Sequence, residues 1–179
     1  MINHKTQLFS RKKIFKGYCF DVVVDDVRWP NHKRLNRDLI LHHGISVIVP
    51  LLDRGHLILI RQYRYGARQV LWEIPAGTLD KDESALDCAK REIQEEIGYR
   101  AKKWKKLTAC FASPGFSTER IHCFLASNLV RTKPDLEDDE ILQTKIVSIP
   151  DVRSMIQRRK ICDAKSLVAL FYFLNGKES

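Results

Sequence analysis

A chain of 179 residues with 44% hydrophobic and 30% charged residues has the make-up of an ordinary soluble globular protein, one domain or a domain with a small appendage. No stretch approaches the roughly eighteen uninterrupted apolar residues of a membrane-spanning helix, since the richest one, Leu39–Leu52, is broken by His42, His43, Gly44 and Pro50. The formal charge of +9 favours anionic partners, but it is dispersed over short clusters (Arg11–Lys13, Lys102–Lys106, Arg158–Lys160), which read as solvated faces and argue against a nucleic-acid surface.

In chain order, residues near 7–15 and 20–29 read as strands, closed by the turn signal Pro30-Asn31-His32. Strands follow over 35–41, 46–52 and 56–62, and Asp53-Arg54-Gly55 predicts a hairpin between the last two. The first clear helix covers 84–97, opened by Asp82 or Ser84 and stopped by Gly98. Strands near 105–111, 119–126 and 141–148 come next, then helices near 151–159 and 164–174, the second capped by Asp163 and ended by Gly176. Strands interleaved with few helices indicate an α+β structure with a mixed sheet. Residues 1–43 read as a small separate antiparallel β-element, ahead of a main domain over 44–179. The N-terminus lacks the apolar core of a signal peptide, and five scattered cysteines without a CxxC pair read as free thiols, so a cytoplasmic protein is expected.

The helix over 84–97 carries the chemistry. At about 100° per residue, Leu86, Ala89, Ile93 and Ile97 share one stripe, which faces the core. Glu92, Glu95 and Glu96 share an adjoining stripe at i, i+3, i+4 spacing. Each like-charged pair there costs roughly 0.2–0.5 kcal/mol, and the dipole disfavours anions in the last turn. Two readings of this stripe remain open on the helix alone. It is a solvated acidic face balanced by Lys90 and Arg91, or it is a site where hard divalent cations turn the repulsion into coordination.

The surrounding residues decide between them. Ahead of the helix stands Glu73-Ile74-Pro75-Ala76-Gly77, a strand ending in Pro and Gly, which lets a backbone carbonyl turn toward the carboxylates because Gly77 adds no side chain in the way. The full pattern is Gly77, five residues, Glu83, seven residues, Arg91-Glu92-Ile93, one residue, Glu95-Glu96, one residue, Gly98-Tyr99. This is similar to the Nudix box, the loop–helix–loop of the Nudix hydrolases, and departs from it only at Tyr99, where that family usually has an aliphatic residue. Ser113-Pro114-Gly115-Phe116-Ser117-Thr118-Glu119, with its proline sixteen positions after Gly98, resembles the segment that marks the ADP-ribose pyrophosphatase branch. Arg61-Gln62-Tyr63-Arg64 ahead of Trp72 points the same way.

The resemblance implies an α/β/α sandwich and hydrolysis of a pyrophosphate bond in a nucleoside diphosphate sugar, with magnesium (or manganese) as cofactor. It assigns metal binding to Glu92, Glu95, Glu96 and the carbonyl of Ala76. Arg91 then orients a box glutamate, and Glu83 is a structural or outer carboxylate. Arg64 and Arg37 are the expected substrate arginines, and Glu73 and Glu119 the expected substrate-side or metal-side carboxylates. The acidic run Asp135–Glu140 corresponds to the loop that supplies the catalytic base, with Glu137 the first candidate and Glu140 the second. Phe20, Trp29 and Trp72 are available as an aromatic wall for the base. The branch also implies a homodimer in which the N-terminal element reaches the partner. Competing readings are a Nudix hydrolase of RNA 5′ ends, dinucleoside polyphosphates or nucleoside triphosphates, and a non-catalytic nucleotide-sensing module; the latter usually loses box carboxylates, and none is lost here.

Overall fold

Helices cover both faces of the strands with the longest apolar runs in the computed structural model, which describes residues 5–135 and 142–176. The chain forms two units, residues 1–44 with 111–120, and residues 45–110 with 121–179.

The first unit is built on three antiparallel strands, β1 (Gln7–Lys16), β2 (Phe20–Arg28) and β3 (Arg34–His42), in the order β1-β2-β3. The central strand alternates, so Val23, Asp25 and Val27 are buried. Asp25 is tolerable there because the Arg11 guanidinium donates to both its oxygens at 2.7 Å. That arginine, acting through hydrogen bonds more than charge alone, holds the Asp25 carboxyl below its ordinary range. All of β1 is exposed, Leu8, Phe9, Ile14 and Phe15 included. The segment 111–120 joins this unit by pairing with β3. Ile40 donates to the Phe116 carbonyl at 2.8 Å, and Thr118 N–H donates to the Ile40 carbonyl at 3.0 Å.

The second unit holds two sheets. One is antiparallel, in the order β10 (Leu142–Ser148), β5 (His56–Arg64), β6 (Gln69–Glu73). The other runs β7 (Ala76–Thr78), β4 (Ile45–Pro50), β9 (Arg120–Arg131), β8 (Tyr99–Phe111), with β4 and β9 parallel. Period-2 alternation sends β4 and β5 to two cores. Val47, Val49, Leu57 and Leu59 pack with Val152, Ala169 and Leu170 of the helices α2 (Ile149–Gln157) and α3 (Ala164–Asn175). Ile48, Ile58 and Ile60 pack with Ala89, Ile93 and Ile97 of α1 (Ala85–Ile97). Strands buried on both faces explain the near-continuous apolar runs of the sequence. This is the expected α/β/α sandwich with a mixed sheet.

The predicted hairpin over Asp53–Gly55 is corrected. The turn is there, with Asp53 Oδ1 accepting from Gly55 N–H at 2.7 Å, but only the bridge Leu51–Leu57 follows it. The strands then part into different sheets, because each has apolar residues on both faces and β5 finds its partners in β6 and β10. The predicted strand over 105–111 starts earlier, at Tyr99, directly after the helix stop. Strand β8 ends its sheet, and Lys102, Lys103, Lys105 and Lys106 along it are exposed. The helix predicted near 151–159 begins at Ile149, with Pro150 in its first turn and Ser148 as N-cap, and leaves Arg158–Lys160 outside. No helix among the described residues is long and apolar enough to cross a membrane.

Candidate active site

Helix α1 is held at both ends by local chemistry. Ser84 is its N-cap, accepting from Asp87 N–H at 3.2 Å, and Gly98 ends it in the left-handed region at φ 68°. Between them, Ala89, Ile93 and Ile97 are buried in the core, and Leu86 packs at its margin. The adjoining stripe turns toward the Ala76–Thr78 strand. There Glu92 is 7% and Glu96 2% exposed, an unusual burial for glutamates.

One arginine organises this cluster. Arg91 Nη1 donates to Glu92 Oε1 at 2.7 Å and to Glu95 Oε2 at 2.9 Å. Its Nε and Nη2 grip both oxygens of Glu83 at 3.1 Å, and Nη2 also reaches the Thr78 carbonyl at 3.1 Å. Hydrogen bonding to Glu83, ahead of the other partners, pushes the Arg91 guanidinium above its ordinary range and Glu83 below its own. Asp80 stands 3.9 Å away, so at least four carboxylates meet a single guanidinium. Glu96 is aligned separately, with Oε2 accepting from Ala76 N–H at 3.0 Å. Nearby, Cys88 lies buried with its thiol on the carbonyls of Gly77 and Thr78, and burial raises its pKa to about 12. At neutral pH it is an inert thiol.

The role of Gly77 is steric. A Cβ at this position would stand 1.7 Å from Glu92 Oε1, so glycine lets the strand pass beside that carboxylate without displacing it. The donor chemistry is that of a hard divalent cation: carboxylate oxygens, an excess of negative charge and a neighbouring backbone turn. Among the described residues no group of three or more His, Cys, Asp or Glu side chains is already arranged as a metal cage. In this arrangement Glu92 and Glu95 are turned to Arg91, and the glutamates fit a cation by redirecting oxygens that the arginine holds.

A second cluster lies in the same unit. Glu73, at the end of β6, is 1% exposed and takes a two-pronged grip from Arg64, Nε at 2.9 Å and Nη2 at 2.7 Å. Lys165 Nζ adds a bond to Glu73 Oε2 at 2.5 Å and another to Asp163 Oδ2 at 2.9 Å. Burial alone would raise the Glu73 pKa and is the largest single influence. The hydrogen bonds and charges of Arg64 and Lys165 together outweigh it and leave the carboxyl below its ordinary range.

The structure therefore gathers Ala76, Glu83, Arg91, Glu92, Glu95 and Glu96 at one place and pairs Arg64 with Glu73. Arg37, Phe20 and Glu119 belong to the other unit. There Arg37 is exposed and stacks on Trp29 at 4.4 Å, Phe20 is 40% exposed at the start of β2, and Glu119 is half-buried. Trp72 is half-buried and packs at a core margin, with Arg61 and Lys145 over its ring. Glu137 and Glu140 lie outside the described residues. Sequence reasoning missed Lys165 and Ser166. Asp163 was legible as a helix cap, but nothing local marks a lysine whose partner is 92 positions away.

Comparison with known proteins matches residues 42–169 to the NUDIX domain family model. The chain is 37% identical over 165 residues to an ADP-ribose pyrophosphatase of Bacillus subtilis, covering 91% of this chain and 89% of that one. It is 30% identical over 181 residues to a GDP-mannose pyrophosphatase of Yersinia pseudotuberculosis, covering 95% and 89%. The crystal structure of an ADP compounds hydrolase superposes with a TM-score of 0.82 at 22% identity, covering 96% of this chain and 93% of that one, a likeness of fold.

Proposed function

The chain belongs to the Nudix hydrolase family, and from that premise we propose that it hydrolyses the pyrophosphate bond of ADP-ribose, or of a closely related nucleoside diphosphate sugar, with magnesium as its cation. The products are a nucleoside monophosphate and a sugar phosphate. The observation that carries the reading is the excess of carboxylates around Arg91, with Glu92 and Glu96 buried, beside Gly77, where a side chain would meet the Glu92 carboxylate. The similarity to pyrophosphatases of ADP-ribose and GDP-mannose supports the substrate class and leaves these two sugars as the leading candidates.

In this reading Glu92, Glu95, Glu96 and the Ala76 carbonyl hold the cations. Bound there, divalent ions lower the pKa of the attacking water and neutralise charge on the departing phosphate. The chain's own residues set the stage for that step. Arg91 gathers Glu92 and Glu95 through its fork, and its anchor on Glu83 prevents the fork from swinging. Ala76 N–H fixes one oxygen of Glu96 at 3.0 Å. Arg64, held by Glu73 through Nε and Nη2, presents its remaining N–H groups to a phosphate oxygen. Arg37, Phe20 and Glu119 act on the sugar and base, and an acidic residue of the 135–140 segment, Glu137 before Glu140, removes the proton from water. The exposed apolar side chains of β1 support the homodimer, and the free cysteines suit the cytoplasm.

The test is phosphate release, with magnesium and a coupled phosphatase, from ADP-ribose, GDP-mannose, UDP-glucose, NADH, diadenosine polyphosphates and nucleoside triphosphates. Turnover concentrated on ADP-ribose upholds the proposal. Preference for GDP-mannose keeps the mechanism and changes the substrate, whereas no turnover on any member, with magnesium or manganese, overturns it.

A further inference from the structure

Lys165 has no place in the catalytic scheme above, yet it is committed to the residue that holds the substrate arginine. Its side chain is 17% exposed, and its ammonium bonds two acidic side chains, Glu73 and Asp163. The first turn of α3 that carries it is itself pinned. Ser166, fully buried, accepts from Ile74 N–H at 3.0 Å, and Asp163 caps the helix by accepting from Ser166 N–H at 3.0 Å. Lys165 is thus delivered to a fixed point beside the end of β6, with little freedom left to it.

We propose that Lys165 is a positioning residue for substrate, which holds Glu73 in place and so keeps Arg64 correctly turned toward the diphosphate. The proposal rests on the reading of Arg64 as a diphosphate contact. Arg64 and Lys165 meet the same oxygen of Glu73, Oε2, so the carboxylate keeps a cationic partner when Arg64 turns toward an arriving diphosphate. A single buried carboxylate with one mobile partner would also be left bare whenever Arg64 shifted toward substrate, a costly state that the second cation prevents.

The experiment is steady-state kinetics on the preferred nucleoside diphosphate sugar for wild type, K165M, K165R, R64A and the K165M/R64A double variant, with folding checked by thermal unfolding. K165M is expected to raise KM by about tenfold, with a smaller change in kcat, as loss of one charged hydrogen bond implies. K165R should recover most of that loss. In the R64A background K165M should add nothing to KM, because the effect passes through Arg64. An unchanged KM in K165M, or equal losses in both backgrounds, overturns the proposal. Should K165M not fold, K165A, which likewise removes the donor to Glu73, takes its place in the same cycle. A wild-type protein inactive on every nucleoside diphosphate sugar defeats the reading of function itself; an active wild type with additive variants defeats only the role of Lys165.

Discussion

The two polar clusters of the second unit are built from the same residue types in opposite proportion. Around Arg91 one cation faces Asp80, Glu83, Glu92 and Glu95, with Glu96 close by on Ala76. Around Glu73 two cations, Arg64 and Lys165, face two carboxylates, Glu73 and Asp163. The first arrangement is incomplete in charge and reads as a cation site. The second is complete, and reads as a scaffold that presents an arginine to an anion. The charge balance separates a cluster with carboxylates to spare for a cation from one whose carboxylates are already paired.

Five measurements sharpen or break that contrast. The largest effect is expected at the acid-rich cluster, where E96Q should lower kcat by about a thousandfold while the thermal unfolding temperature stays near that of wild type. Chelation of divalent ions should abolish wild-type turnover, and added magnesium should restore it. Turnover that survives E96Q or chelation would mean that α1 is not the cation site.

At the balanced cluster, R64A should act on binding first, raising KM by about 10- to 100-fold. The rise should shrink as ionic strength increases, because the attraction between guanidinium and phosphate is electrostatic. An R64A enzyme with normal KM would remove Arg64 from the substrate site.

G77A tests the fit between strand and helix. The new Cβ would displace the Glu92 carboxylate, so the magnesium concentration for half-maximal activity should rise by about tenfold, as read in a magnesium titration. An unshifted titration would show that Glu92 gives way without leaving the site.

The smallest effect concerns acid. The folded-state pKa of Glu73 lies below its ordinary value of 4.5, so its stabilising contribution is fully present above that value and is lost as pH falls through the depressed one. The stability gap between wild type and E73Q, measured by urea unfolding across a pH series, should therefore be constant above about pH 5 and narrow below about pH 4. A gap that widens with acid would mean that burial, and not Arg64 and Lys165, sets the Glu73 pKa.

Much of the fold and site was legible in the chain because the signals are local. The 3.6 period of Ala89, Ile93 and Ile97 and the stop at Gly98 define α1, and the fixed spacing from Gly77 to Gly98 brings Arg91 onto its glutamates. What escaped depends on partners far apart in sequence. The hairpin signal at Asp53–Gly55 describes a turn correctly, yet which sheet a doubly buried strand joins is decided by β6 and β10. The attachment of 111–120 to β3 rests on backbone bonds from Ile40, which no side-chain pattern reports. Lys165 looks like any helix-surface lysine until the fold carries it to Glu73.

The lysines along β8 have a consequence for how this protein behaves in a crowded solution. A strand that ends a sheet offers a row of unsatisfied amide and carbonyl groups, which another copy can extend into a fibril. With Lys102, Lys103, Lys105 and Lys106 exposed along β8, a second copy laid against it in register would stack like charges at the strand spacing of about 4.8 Å. Much of the surplus positive charge thus serves as a guard against filament growth, a guard that concentrated salt would lower.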